Sequence, residues 1–231
     1  MPTSLLSAAI ENNIAWCSTV CASHSSDEQM SLTSWTNLAP SPPYYPNIIT
    51  RQPHAQAEVI RLIDSVRKRN ANSAWGIKDS FADIDLIAAG FRLAIEGQWF
   101  AGEPAAGQKR AHDWEVVRLP EDLSLWEQAW SGESGHRIFK ESLLNDSRIR
   151  FWMQRQAGEI ITGCISFAPG PVIGLSNWFS HGAESVFDRN ILDAVQQEGA
   201  HRPVVFWAAD GDAAFSASGL KALGKLRVWL S

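Results

Sequence analysis

The stretch VIGLSNWF, residues 172–179, sets two polar side chains, Ser176 and Asn177, inside an otherwise apolar run. Its branched and aromatic residues favour a pleated, half-buried backbone, so a strand is the expected conformation. Successive strand side chains point to opposite faces, which sends at least one of Ser176 and Asn177 toward the covered side of a sheet. A polar group there needs a partner. Either a core hydrogen bond satisfies it, or it lines a site.

The neighbouring segments supply the sheet. RIRFWMQRQ (148–156) and EIITGCISF (159–167) also read as strands, and the turn APGP (168–171) joins them to the third. Downstream, AESVFDRNILDAVQQEG (183–199) turns Val186, Ile191, Leu192 and Val195 to one face and ends on Gly199, a helix signature. PVVFWAAD (203–210) reads as a buried strand. GDAAFSASGLKAL (211–223) reads as a helix opened by Asp212, and KLRVWL (225–230) as a final strand. In this order antiparallel strands feed a crossover helix and then a parallel neighbour, an α+β mixed sheet.

Before this block, FRLAIEGQWF (91–100) alternates like a strand, and WGIKDSFADIDLI (75–87) is expected to form a hairpin with it. AGEPAAGQKRAHD (101–113) reads as a loop and WEVVRL (114–119) as a short strand or a lead-in to the next helix. PEDLSLWEQAW (120–130) reads as a helix with Pro120 in its first turn, acids at its positive end and Leu123, Trp126 and Trp130 along one face. In the N-terminal part, Val59, Leu62, Ile63 and Val66 predict a helix over residues 54–69. The prolines of SLTSWTNLAPSPPYYPNIITRQP (31–53) predict an extended arm laid across a surface.

The segment AWCSTVCASHS (15–25) places Cys17, Cys21 and His24 close together. A structural zinc takes four ligands, and the paired CxxC or HxxxH spacing is missing. Leu6, Ile10, Ile14, Cys17 and Cys21 instead form one helical stripe, in which a free thiol acts as a small buried hydrophobe. No metal site is expected.

Composition sets outer bounds. A 231-residue chain with 45% apolar and 19% charged residues can build a core, and its eleven Trp can also line an apolar pocket for a small-molecule ligand. A net charge of −5 argues against a nucleic-acid partner, and Arg67-Lys68-Arg69 reads as the solvated end of a helix. No 18-residue apolar run crosses a membrane. Three Cys form no disulfide framework and MPTSLLSAAIENN lacks a signal peptide's basic start, so a reducing cytoplasm is expected. The N-terminal helix, Pro-rich arm and second helix (residues 1–70) are expected to pack on a core of residues 71–231, one compact unit overall. Lys78, Asp79 and Ser80 interrupt a predicted strand. A buried Asp79 carboxylate with a raised pKa can accept a proton, and Ser80 can line a pocket.

The strand order resembles the core of the acyl-CoA N-acyltransferase (GNAT) superfamily. NIAWCSTVCASHS (13–25), PPYYPNIIT (42–50), WGIKDSFADIDL (75–86) with GFRLAIEGQW (90–99), GLSNWF (174–179) and SASGLKALGKLRVWL (216–230) are similar to a group of bacterial GNAT-like proteins of undefined activity. The resemblance implies a GNAT-like mixed, mostly antiparallel twisted sheet with helices on both faces and an N-terminal helical and extended extension. It implies two parallel strands, VIGLSNWF and PVVFWAAD, that splay apart around acetyl-CoA or another acyl-CoA. The thioester carbonyl then falls near Asn177, Trp178 and Phe179, and the diphosphate at Ser180, His181, Gly182 and Ala183. Asp79 or Asp210 accepts the amine proton, and Trp16, Tyr45 and Trp75 wall the acceptor pocket. FSHGAES (179–185) departs from the superfamily's R/Q-x-x-G-x-G/A loop, and GDAAFSASGLKAL has Phe215 but no tyrosine to protonate the departing thiolate. Two readings follow: an acyltransferase acting on an amine, or a degenerate relative that binds a small ligand or pairs its edge strand with a second copy.

Overall fold

The structure is a computed structural model that describes residues 4–71, 73–102, 114–132, 137–181, 187, 190–198, 202–210 and 220–231. Among the described residues it is α+β, with four α-helices and mixed, mostly antiparallel strands. The chain divides into two compact units, residues 1–99 with 223–231, and residues 100–222. The divisions fall inside strands β5 (Arg92–Gly102) and β11 (Lys221–Leu230). Helix α2 (Gln56–Arg69) and strand β4 (Gly76–Asp79), on either side of residue 70, both lie in the first unit.

In the first unit the strand order is β1-β2-β3-β4-β11-β5, with β1 (Glu28–Met30), β2 (Ser34–Asn37) and β3 (Ile48–Thr50). The Pro-rich arm is therefore not a strap over a surface. Its ends are strands whose residues are all buried, because the prolines are confined to residues 40–46 and 53 and leave SWTN and IIT free to pair. The hairpin expected between β4 and β5 does not form either. β11 lies between them and pairs antiparallel with β4, Leu230 opposite Gly76 and Arg227 opposite Asp79.

Helices cover both faces of this unit. Helix α1 (Leu5–His24) lies on one face: its Ile10, Ile14, Cys17 and Cys21 are buried, and its Asn13 Oδ1 accepts a 2.9 Å hydrogen bond from the buried Lys78 ammonium. Helix α2 buries Val59, Ile63 and Val66 on the other, against Ile77, Leu86, Phe91 and Trp229. Its Glu58 ties down the β1–β2 turn. Burial acts to raise its pKa, yet the hydroxyls of Ser31, Thr33 and Ser34 all donate to its carboxylate, and the net effect lowers it.

The second unit has the order β10-β9-β8-β7-β6, from β10 (Val204–Ala209), β9 (Ile173–Ser180), β8 (Glu159–Phe167), β7 (Ile149–Gln156) and β6 (Glu115–Val116). Helix α3 (Pro120–Ser131) packs Trp126 edge-on against Phe151 and Phe179, while α4 (Asn190–Glu198) covers the other face with Ile191, Leu192 and Val195. Of the loop expected over 101–113, Ala101 and Gly102 belong to strand β5, and the rest, like most of the helix expected over 211–223, lies outside the described residues. The end of that helix prediction, Lys221–Leu223, is strand, because KALGKLRVWL continues the β11 pleat through Gly224.

Gly163 holds α3 close to the sheet. The Trp126 indole donates to the Trp152 carbonyl at 2.8 Å, and a Cβ on Gly163 would lie 2.6 Å from that indole nitrogen and 2.8 Å from that carbonyl oxygen. Neither partner can move without breaking the bond. Gly163→Ala should therefore destabilise the chain by about 1–3 kcal/mol, read as a lower denaturant midpoint; an unchanged midpoint would refute this packing.

Candidate functional site

Strand β9 carries an irregularity where its polar residues stand. Ile165 of β8 faces Ser176 and Gly163 faces Phe179, so Asn177 and Trp178 together oppose Cys164 alone. This is a β-bulge, and Asn177 takes a left-handed φ of 53°. Asparagine enters that region more readily than other side chains, and a β-branched residue does so at the greatest cost. The inserted residue shifts the alternation by one position. Trp178 thereby joins Ile173 and Leu175 on the α4 face, and Phe179 turns to Trp126 on the α3 face.

The strand on the other side of β9 leaves it. β10 pairs with β9 in parallel at Val204–Ile173 and Val205–Gly174, and the Ile173 N–H donates to the Pro203 carbonyl at 2.9 Å. Past those positions Leu175–Ser180 and Phe206–Ala209 have no register with each other, so two strand edges diverge toward their C-terminal ends. Where two strands part, an extended ligand can bond main-chain groups as if it were another strand. On the α4 face the opening is floored by rings: Phe187 lies 4.8 Å from Trp178 of β9 and 5.4 Å from Phe206 of β10. Trp114 lies 6.0 Å from Trp178, and Phe100 stacks on Phe206 at 5.7 Å. Asp210 follows β10 at the open end and is exposed.

The segment after β9 is held on its α3 side. The His181 N–H donates to the Ile161 carbonyl at 2.7 Å, which continues the β8–β9 ladder by one residue. Its ring Nε2 lies 2.8 Å from the Ala129 carbonyl of the last α3 turn; a carbonyl only accepts, so the ring carries its proton there. Neither donor of His181 is left over for an anion. Gly182 and Ala183 lie outside the described residues.

The other expected site residues belong to the first unit. Asp79 is fully buried, and its two carboxylate oxygens accept from the main-chain N–H groups of Phe81 at 3.2 Å and Ile84 at 3.1 Å. Burial raises its pKa, opposed in part by those amides. It fastens the turn that follows β4. Ser80 donates its N–H to Thr50 Oγ1 at 2.8 Å and accepts at its carbonyl from the Trp99 indole at 3.0 Å. Trp16, Tyr45 and Trp75 are buried, Trp75 edge-on to Phe91 at 4.9 Å within the α2-side core.

Cys17 and Cys21 are free and buried, and among the described residues no group of three or more His, Cys, Asp or Glu could hold a metal. Burial pushes the Cys17 thiol up to about 11 and the Cys21 thiol up to about 12. In the unfolded chain both ionise near 9, so stability from this pair is complete below pH 9 and is lost as pH climbs toward 11–12. No helix among the described residues is long and apolar enough to cross a membrane.

Solved structures share this fold. A conserved protein of unknown function from Staphylococcus epidermidis matches 90% of this chain and 94% of its own at 15% identity, with a TM-score of 0.63. A GCN5-related N-acetyltransferase from Kribbella flavida matches 96% and 95% at 13% identity, with a TM-score of 0.62. A putative acetyltransferase of the GNAT family from Novosphingobium aromaticivorans matches 96% and 97% at 11% identity, with a TM-score of 0.57. No protein-family model and no curated protein matches the chain. The chain has the GNAT fold.

The family resemblance implied the divergent strand pair, and the sequence reading missed the bulge and the floor of Phe187 and Phe206. The signal was present in SNWF, where two polar residues interrupt a pleat at the place where one residue is in excess.

Two tests follow from this geometry. Asn177→Val should cost about 1–2 kcal/mol in chemical denaturation, whereas Asn177→Gly should stay near the parent, since relief of the left-handed strain offsets the added unfolded-chain entropy. Equal effects of both would refute the left-handed bulge. At pH 8 iodoacetamide should leave Cys17, Cys21 and Cys164 unlabelled in the native chain and label all three in denaturant; rapid native labelling would show that the thiols are not packed.

Proposed function

We propose that the chain binds an acyl-CoA between β9 and β10 and transfers its acyl group to an amine. The observation that carries this reading is the parallel pair that registers at only two positions before its edges part. The pantetheine arm of CoA is narrow and has two amides, and main chain where the β9–β10 ladder ends can offer complementary donors and acceptors. The ring floor of Trp178, Phe187 and Phe206 suits the methylene and sulfur portions.

In the reaction the amine nitrogen attacks the thioester carbonyl carbon. The C–N bond forms, the C–S bond breaks, and CoA leaves as a thiolate that then takes up a proton. Asp210, exposed at the open end of the strand pair, is assigned the proton of the attacking amine. Asp79 is better suited to holding its turn, since both of its oxygens already accept main-chain bonds. The bulge presents β9 main chain out of its regular ladder, which suits it to meet the carbonyl oxygen as charge develops there.

Thermal unfolding with acetyl-CoA, CoA and desulfo-CoA tests the binding step. At a ligand concentration about a hundredfold above a micromolar dissociation constant, mass action adds about 2.7 kcal/mol and should raise Tm by about 5–10 °C. No shift at about 1 mM, well above micromolar constants, overturns the proposal. A shift without acyl transfer to any of a panel of amines leaves a binding protein on the same scaffold. Where transfer is found, Asp210→Asn should slow it at neutral pH without changing the Tm shift.

A further inference from the structure

Burial along β9 and β10 falls where their ladder ends. Ile173 and Leu175 of β9 belong to the core on the α4 side, as do Val204, Phe206 and Ala208 of β10. Alternation therefore turns Gly174 and Ser176, and likewise Val205 and Trp207, to the α3 side. On that side Gly174 and Val205, the last pair in register, are buried. Two residues further along each strand, Ser176 and Trp207 are only half-buried, and Ala209 beyond them is exposed. The broad ring of Trp207 thus stands partly in water, on the strand whose end carries the exposed Asp210. A partly open indole leaves apolar area that a flat ligand can cover.

We infer that Trp207 selects the acceptor, an amine carried on a flat aromatic ring that packs against the indole while the amine meets Asp210. The inference rests on the reading of the β9–β10 opening as the acyl-transfer site. Spacing and chemistry define the acceptor together. Three residues of extended chain separate Trp207 from Asp210, about 10 Å of backbone, which a ring with a short tether to its nitrogen can bridge given the reach of both side chains. A small amine held at Asp210 reaches no part of the ring. A flexible aliphatic chain reaches it, but loses more freedom on binding and has no face to offer the indole. The Asp210 carboxylate attracts the amine in its protonated form, the form in which it arrives at neutral pH.

Acetyl transfer from acetyl-CoA to phenylethylamine and to hexylamine, by the full chain and by Trp207→Leu, tests this, since leucine keeps apolar bulk and deletes the flat face. The parent should prefer phenylethylamine in kcat/KM. The variant should lose about threefold to tenfold on that amine alone and through KM, the usual worth of one aromatic pair. Its KM for acetyl-CoA should not move. No preference for phenylethylamine in the parent, or equal losses on the two amines in the variant, overturns the inference and leaves the acyl-CoA site in place. Binding of acetyl-CoA with transfer to neither amine does the same. Failure of the parent to bind acetyl-CoA removes the site itself. Should Trp207→Leu not fold, Trp207→Met takes its place under the same criteria, and the parent's preference decides without either.

Discussion

One residue too many in β9, set against Cys164, governs the second unit. A strand in strict register would alternate faces to its end and carry Trp178 toward α3 and Phe179 toward α4. With Asn177 inserted, the larger ring goes to the α4 face and meets Phe187, and Phe179 goes to Trp126. Both faces of the sheet are thus packed by a local backbone distortion, which also lies in the strand that parts from its neighbour. Bulges bend a strand and raise its twist, so the distortion and the divergence of β9 from β10 belong to one mechanical event.

The α3 side gives that event a firm backing. Trp126 is wedged over Gly163, hydrogen-bonded to Trp152 and edge-on to Phe151 and Phe179. Buried Glu127 on the same helix accepts from the Ile138 and Phe139 amides at 2.6 and 3.4 Å, and His181 is fastened to the helix's last turn. Irregular backbone is thus concentrated on one side of β9, and the opposite side is rigidly filled. A site held this way can keep its main-chain groups in place before a ligand arrives.

Much of the fold was legible in the sequence where apolar spacing was long and unbroken. The α1 stripe from Ile10 to Cys21 and the branched and aromatic runs of β7 and β8 answer to simple sequence patterns. What stayed hidden depended on distant residues. SWTN and IIT are too short to reveal themselves among prolines, and they become strands because β4 and β1 give them partners. Adjacent segments 75–87 and 91–100 look like a hairpin until the far end of the chain is placed between them. For the candidate site, the divergent pair was an expectation of the family resemblance, whereas the bulge depends on a register that no single strand encodes. Asp79 was noticed because it interrupts a strand; only its two amide partners show that it secures a turn.

The placement of β11 between β4 and β5 also has a consequence in time. The first unit joins residues 1–99 to residues 223–231, so β11, an inner strand of it, emerges from the ribosome after all of its others. The second unit, residues 100–222, is continuous in sequence and is made before the rest of that strand. During synthesis the earlier-made half must wait with an open seam, its β4 edge unclosed, until the later-made half has been completed.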